Sequence, residues 1–462
     1  MDNLLKYSLL DGLFANMFAT LTAGLFLTSL AIYLGLSDLL IGLLGAMPFI
    51  VTAFQLPTSM LLERFGGRKK LAVMASLSAR LIWIPILLTA LVSVKVYPYK
   101  TVTVLLLIFC SHVCISISYI AWFSWISDLV PEYIRGSFFG RRNMFCGLGG
   151  LLVMIAFGRL LDFSETLGPS GMAFGFIATF GMAILCGLIS SLYLLRLPNH
   201  FETTSINHPP LRLREPFGDA NFRKFLYFSF LWNFGVYFAA PFFTLYSLRD
   251  LHFSHNFVAI MGGTSALANL FLVTFWGRIS DRVKNRPVIL LAGVMVSLLP
   301  LGWLMVGPSS RWVVIVIHLV GGSFWAGITL CFSNLLIHIA PRENASVFYS
   351  MTSLVTGVAA ALAPVISGLL AHRLAMTNLP SLGIKPLHVV FFISFLLRFS
   401  SLFILARVHE PQEGTVKQLI RIVRSVRGLN LVMGFAGLLH PFQPIRERKP
   451  TSQEEEIVSG EK

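Results

Sequence analysis

Carboxylates are scarce in this chain. Its 462 residues hold 21 Asp and Glu together, and charged residues of both signs reach only 12%. A soluble domain covers its surface with about twice that share of charge, whereas apolar residues make up 55% here and include 40 Phe. Cysteine is sparse as well. Cys110, Cys114, Cys146, Cys186 and Cys331 are an odd number scattered through apolar runs, which argues against a disulfide framework and against a zinc site. The stretch Cys110-Ser-His112-Val-Cys114 has tempting ligand types, but small residues that let helices pack are the plainer reading. Period-two alternation is absent, so a membrane β-barrel is not expected. A phosphate-cradling glycine loop is missing, which argues against ATP-driven transport by this chain alone. Nor does the sequence offer a converging nucleophile, base and oxyanion donors, so an enzyme is not expected. Neither a metal nor a cofactor is expected.

What the chain has instead is long apolar runs. A helix needs roughly 20 apolar residues to cross the hydrocarbon layer. Runs of that kind cover 8–33, 39–61, 71–94, 101–127, 143–161, 172–196, 223–247, 256–276, 287–307, 312–339, 345–372 and 387–408. The expected fold class is an all-α polytopic membrane protein with twelve transmembrane helices. The first run is too long for a cleavable leader and lacks a small-x-small cleavage site.

The net charge of +15 reports orientation rather than nucleic acid. With the N-terminus inside, 27 of the 36 Lys and Arg fall on inner segments and 6 on outer loops. That asymmetry places both termini in the cytoplasm. Compact outer loops hint at a prokaryotic inner membrane.

The chain also repeats itself. LGLSDLLIGLLGA (34–46) matches LHFSHNFVAIMGG (251–263) at an offset of 217, and Asn16 matches Asn233 at the same offset. SMLLERFGGRKK (59–70) echoes the charged loop WGRISDRVKNRP (276–287), with Glu63-Arg64 over Asp281-Arg282. Pro131 matches Pro341, and LLRLPNHFE (194–202) echoes LARVHEPQE (405–413). The natural division is a six-helix half over 1–196, a polar linker over 197–222, a second six-helix half over 223–408 and a tail over 409–462. Parallel repeats of this kind fit a rocking transporter with its site between the halves.

The G-x-x-x-D-R-x-x-x-R/K loop after the second helix of each half resembles the signature of the major facilitator superfamily, and D-x-x-P-x-x-x-R-G at 128–136 resembles a second feature of it. The resemblance implies the twelve-helix fold of two pseudo-symmetric halves and a cytoplasmic gate made by Glu63, Arg64, Asp128, Arg135, Asp281, Arg282 and Arg286. In that family the loop carboxylate caps a helix of the opposite half in one state only, worth about 0.3–2 kcal/mol. The alternative is that these charges only anchor orientation. The chain departs from the pattern at Ser59, Glu63 and His338, which stands where Asp128 stands in the first half, leaving Glu343 as a substitute acid. The proline-containing fifth-helix pattern of drug/proton antiporters is missing.

The resemblance further implies that spans one, four, seven and ten face the cavity. Helical spacing then offers Asn16 and Thr20, His112, Ser116 and Tyr119, Asn233 and Tyr237, and His318 and Trp325 as a lining for a weakly polar organic molecule. Asp11 lies well inside a span and is the candidate proton site; pairing with Arg141 or Arg142, or reaching back to the interface, are its alternatives. Arg80 and Arg398 sit deep in helices three and twelve, where a structural role is the plainer expectation. Residues 415–427 (TVKQLIRIVRSVR) have the pattern of an interfacial helix on anionic lipid. The expected activity is secondary transport of a small organic solute by alternating access, proton-coupled export leading and uptake or facilitated diffusion as the rival; a lipid-handling protein is the alternative of another class. Membrane lipids are expected partners, nucleic acid is not, and a monomer is expected.

Overall fold

The computed structural model describes residues 2–55, 57–58, 67–92, 96–130, 132–198, 215–341, 345–377 and 385–411. The segment 415–427 and Glu343 lie outside them. Helices dominate. In chain order they are α1 (Asp2–Thr22), α2 (Gly24–Tyr33), α3 (Asp38–Ile50), α4 (Arg68–Leu81), α5 (Trp83–Leu91), α6 (Lys100–Leu129), α7 (Glu132–Thr166), α8 (Gly168–Arg196), α9 (Ala220–Leu245), α10 (His255–Val283), α11 (Asn285–Leu304), α12 (Arg311–Ile339), α13 (Ala345–Ala375) and α14 (Pro386–Leu405). Eleven spans are long and apolar enough to cross a membrane, and Asp38–Phe54 is a shorter apolar helix.

Local chemistry explains where the helices begin and break. Gly24, at φ +50°, separates α1 from α2 inside the first span. Gly67, at φ +74°, starts α4. Asp219 accepts from the Asn221 and Phe222 amides at 2.7 and 3.0 Å to open α9, and Ser254 Oγ accepts from Phe257 N at 3.2 Å to open α10. After Pro48 the second span tightens into a 3₁₀ turn at Val51–Phe54, and Ser116 Oγ donates to the Val51 carbonyl at 3.0 Å. Hydropathy places the fifth span at 143–161, but α7 runs from Glu132 to Thr166. Its basic first turns read as loop because hydropathy scores charge, whereas the backbone there is helical.

The buried core has a telling distribution. One cluster runs through both halves, joining Leu30, Ile41 and Met47 to Phe242, Ala363 and Phe391. Toward the end that carries Lys69, Arg196 and Lys224, called here the basic end, the core among the described residues divides. One part, around Ala72, Trp125, Phe138 and Leu197, belongs to the first half alone. The other, around Phe225, Trp276, Val288 and Leu335, belongs to the second. The two largest seams between the halves, among the described residues, are α3 on α13 and α7 on α10. Glycines bring the first seam to backbone contact: a Cβ at Gly368 would stand 2.7 Å from the Asp38 carbonyl and 3.3 Å from Gly42 Cα. In the second, a Cβ at Gly158 would meet Asn256 Cα at 3.2 Å. The fused end is sealed by these seams.

Candidate functional site

At the sealed end, two ionic contacts hold one half to the other. Asp162 near the end of α7 accepts from the His255 and Asn256 amides at 2.6 and 3.0 Å, and its Oδ1 lies 3.0 Å from His255 Nδ1. The carboxylate therefore sits on the positive N-terminus of α10, across the interface. In the second contact, Arg249 beyond α9 pairs with Asp38 at the start of α3 and with Asp250 at 3.1 Å. Asp38 and His255 are 217 residues apart and each follows a serine at the head of a helix. The same repeat position thus serves both contacts, with an acid in one half and a histidine in the other.

The loop charges do something different here. Asp281 and Arg282 are exposed. Arg286 binds the far end of α14 instead, donating from Nε to the Leu405 carbonyl at 3.2 Å and from a terminal nitrogen to Ala406. Lys69 makes the matching contact in the first half, to the Leu197 carbonyl at 2.6 Å. Glu63 and Arg64 lie outside the described residues, as do the side chains of Asp128 and Arg135. His338 finds its acid at Glu410, which is fully buried. Glu410 also accepts from the Asn285 and Arg286 amides at 2.9 and 2.7 Å and from Asn285 Nδ2 at 2.7 Å, capping α11 directly after Lys284, whose φ is +68°. Glu410→Ala should strand those donors and lower stability by about 3 kcal/mol. A thermal melt in detergent checks this, and an unchanged midpoint would show the cap to be dispensable.

Asp11 is buried in the first half, with Ser190 Oγ donating to Oδ1 at 2.7 Å and Arg142 3.6 Å from Oδ2. Arg80 reaches the same group through Ser190, donating at 2.9 Å. Of the alternatives for Asp11, the geometry selects the partnership with Arg142, whose guanidinium also stacks 4.5 Å above the Trp122 ring. One carboxylate is thus shared between two arginines.

The expected cavity residues divide between tasks. Asn16 Nδ2 donates to the Cys146 carbonyl at 2.7 Å, binding α1 to α7, and Thr20 Oγ1 donates back to the Asn16 carbonyl. Asn233 Nδ2 donates to its own helix at Ser229. Ser116 is buried against the 3₁₀ turn, His112 is half-buried, and Tyr119 is exposed, stacking on Phe123 at 6.1 Å. Tyr237 meets Phe49 of the other half, with ring centroids 4.5 Å apart. Of the expected set, His318 and Trp325 line a cavity among the described residues. It holds about 230 Å³ inside the second half and is walled also by Phe243, Trp303, Ser265 and Arg398. Ser265 Oγ lies 3.0 Å from His318 Nδ1 and donates to its carbonyl at 2.8 Å.

The family model described as Major Facilitator Superfamily matches residues 12–364 and 229–443. The chain belongs to the major facilitator superfamily. Comparison with curated proteins yields no match. Among solved structures, the superfamily fold is shared with the nucleoside transporter NupG at 15% identity, covering 88% of this chain and 99% of that one with a TM-score of 0.67. It is shared with a D-xylose–proton symporter at 14% identity, 89% and 99% coverage and a TM-score of 0.67. A bacterial homologue of the lysosomal transporter Spinster, inward-facing and occupied, aligns at 15% identity, 92% and 96% coverage and a TM-score of 0.58. The chain is therefore a multi-pass membrane protein of a transporter superfamily, not an enzyme.

Within that superfamily frame, sequence reasoning passed over Asp162, Arg249, Asp38 and Glu410. Asp38 and Glu410 both lay inside echoes already visible in the sequence, and there the signal was present. Asp162 fell one residue beyond the expected fifth span and read as loop.

Proposed function

We propose that this protein carries a small organic solute across the membrane by alternating access, coupled to proton movement at Asp11 and running as export. The division of the buried core among the described residues carries this reading: it is continuous through both halves at the sealed end and in two parts at the basic end. Two halves joined in this way at one end fit one member of a pair of states. By the charge asymmetry the basic end faces the cytoplasm, so this state offers its interior to solute on the inside, the loading side of an exporter. Asp281 and Arg282, exposed here, are the groups for closing that end in the other state, where a carboxylate on an opposing helix N-terminus becomes favourable.

Spin labels report the two ends separately. One pair replaces Leu167 and Met376, exposed at the sealed end, and the other replaces Arg196 and Lys224, exposed at the basic end. Transported solute and a proton gradient should lengthen the first distance while shortening the second. Two distances that move together, or neither moving under any solute and gradient, would remove alternating access.

A further inference from the structure

The cavity in the second half is lined by a cation, Arg398, that has no counter-ion among the described residues. Arg398, on α14, is 3% exposed. Its guanidinium makes three long hydrogen bonds, all to main-chain carbonyls: Nε to Gly235 at 3.3 Å, Nη1 to Val296 at 3.4 Å and Nη2 to Val236 at 3.3 Å. Among the described residues no carboxylate lies within ion-pair distance of it. A buried charge without a partner is costly, and in a membrane span it is by default a functional group.

The first half shows how the same problem is solved when the arginine is structural. At the 217-residue offset Arg80 corresponds to Ser297, and at the 211-residue offset of Leu194 and Leu405, Gly187 corresponds to Arg398. Each half therefore places one arginine between its third and sixth spans, but from opposite helices. A Cβ on Gly187 would touch Arg80, and one on Gly235 would stand 3.0 Å from Arg398 Cγ. Arg80 lies 5.6 Å from the Phe18 ring and reaches Asp11 through Ser190. At the 217-residue offset Asp11 is Phe228 and Phe18 is Gly235, so the second half has neither the acid nor the ring. The Ser297 hydroxyl is buried there without a partner. The negative charge supplied by the protein in the first half has no source among the described residues of the second.

We propose that the missing charge is supplied by the solute, and that the cavity binds a compact apolar carboxylate with its acid group at Arg398 and its body between Trp303, Trp325 and Phe243. His318, held by Ser265, completes the polar side of the cavity. Indole and phenyl faces suit an aromatic or branched body, and about 230 Å³ gives room for a single-ring acid. A planar guanidinium matches a carboxylate in a two-pronged geometry. The inference rests on the transport reading and names its substrate class.

Calorimetric titration of the full-length protein in detergent with benzoate and phenylacetate, against benzamide and phenylacetamide, isolates charge at constant shape. Each acid should bind at least tenfold tighter than its amide. Arg398→Gln should reduce acid affinity to the amide level, and Arg398→Lys should retain part of the preference. Acids that do not bind, or that bind no better than the amides, overturn the proposal without any variant. An Arg398→Gln protein that folds and keeps the full preference overturns it too. The spin-label distances separate the two readings: acid binding with both ends immobile would remove transport and spare the pocket. Distances driven equally by acid and amide would remove the carboxylate and spare transport.

Discussion

Gly42→Leu should hold the sealed end open. In the present state α3 and α13 meet backbone to backbone. Gly42 faces the Pro364 carbonyl, and a Cβ there would also lie 3.2 Å from Gly368 Cα. Gly45, one turn on, would place a Cβ 3.0 Å from Pro241. These neighbours are main chain or proline rings and cannot swing aside as a flexible side chain would. Overpacking a core typically costs about 1–3 kcal/mol, and against rigid backbone the larger figure applies. A bias of about 3 kcal/mol changes the ratio of two states by roughly a hundredfold. The carboxylate contacts at Asp162 and Asp38 oppose the opening, at about 0.3–2 kcal/mol each, and at the middle of that range the two together stay below such a clash. The Leu167–Met376 label distance should therefore lengthen without solute or gradient, while the protein remains folded, because the open state has room for the side chain. Gly42→Ala should give an intermediate distribution. A Gly42→Leu protein with the wild-type distance would mean that the seam does not control the sealed end.

How far the sequence discloses this architecture depends on the kind of signal. Hydropathy locates the spans because twenty apolar residues in a row have few other uses, and the repeat assigns them to two halves. It misjudges α7, whose Arg141 and Arg142 turn is helix rather than loop. The Asp11–Arg142 contact was open among alternatives in the sequence, since helical spacing places Asp11 in a span but says nothing of which span lies opposite. The cavity residues divided for a similar reason. Spacing shows which side chains share a helix face, yet Asn16 and Ser116 are taken by main-chain carbonyls that only packing brings near, Cys146 and Val51. Arg398 was visible as a deep cation, and a structural role was the plainer expectation. What the sequence alone could not show is that no described carboxylate pairs with it, because that is a statement about many neighbours at once. Conversely, the pairing of Asp38 with Arg249 and of Asp162 with His255 has a legible half: Ser37-Asp38 and Ser254-His255 occupy one repeat position. The illegible half is the partner, which comes from the other side of the interface.

Asp11→Asn should uncouple transport from the proton gradient. Among the described residues Asp11 is the one anion in a buried group with two guanidiniums, so the group carries one net positive charge when the carboxylate is ionised and two when it is protonated. Two buried cations without an anion are far less tolerable than one, since breaking a buried pair costs about 3–5 kcal/mol. Protonation should therefore expel Arg142, which is the less buried of the two and lies toward the open basic end. Arg142 is on α7, and Asp162 is on the same helix 20 residues further, about 30 Å along its axis. A displacement of α7 that releases Arg142 thus bears on the contact that fastens α7 to the N-terminus of α10. This is a physical link between one proton and the sealed end, through a single rigid element. An asparagine fixes the neutral form: it can still accept from Ser190 but cannot change charge. In proteoliposomes the variant should lose gradient-driven accumulation by a hundredfold or more, while solute-for-solute exchange, which needs no net proton movement, should continue within a few-fold of wild type. The exchange assay also controls for the stability lost by leaving Arg142 and Arg80 without their acid. Asp11→Glu keeps a titratable group and should retain part of the accumulation. Full accumulation by a folded Asp11→Asn protein would move the coupling elsewhere and leave the Asp11 group as a structural pairing; loss of exchange together with accumulation, in a protein whose label distances no longer change, would make Asp11 a hinge of the conformational change rather than its proton site.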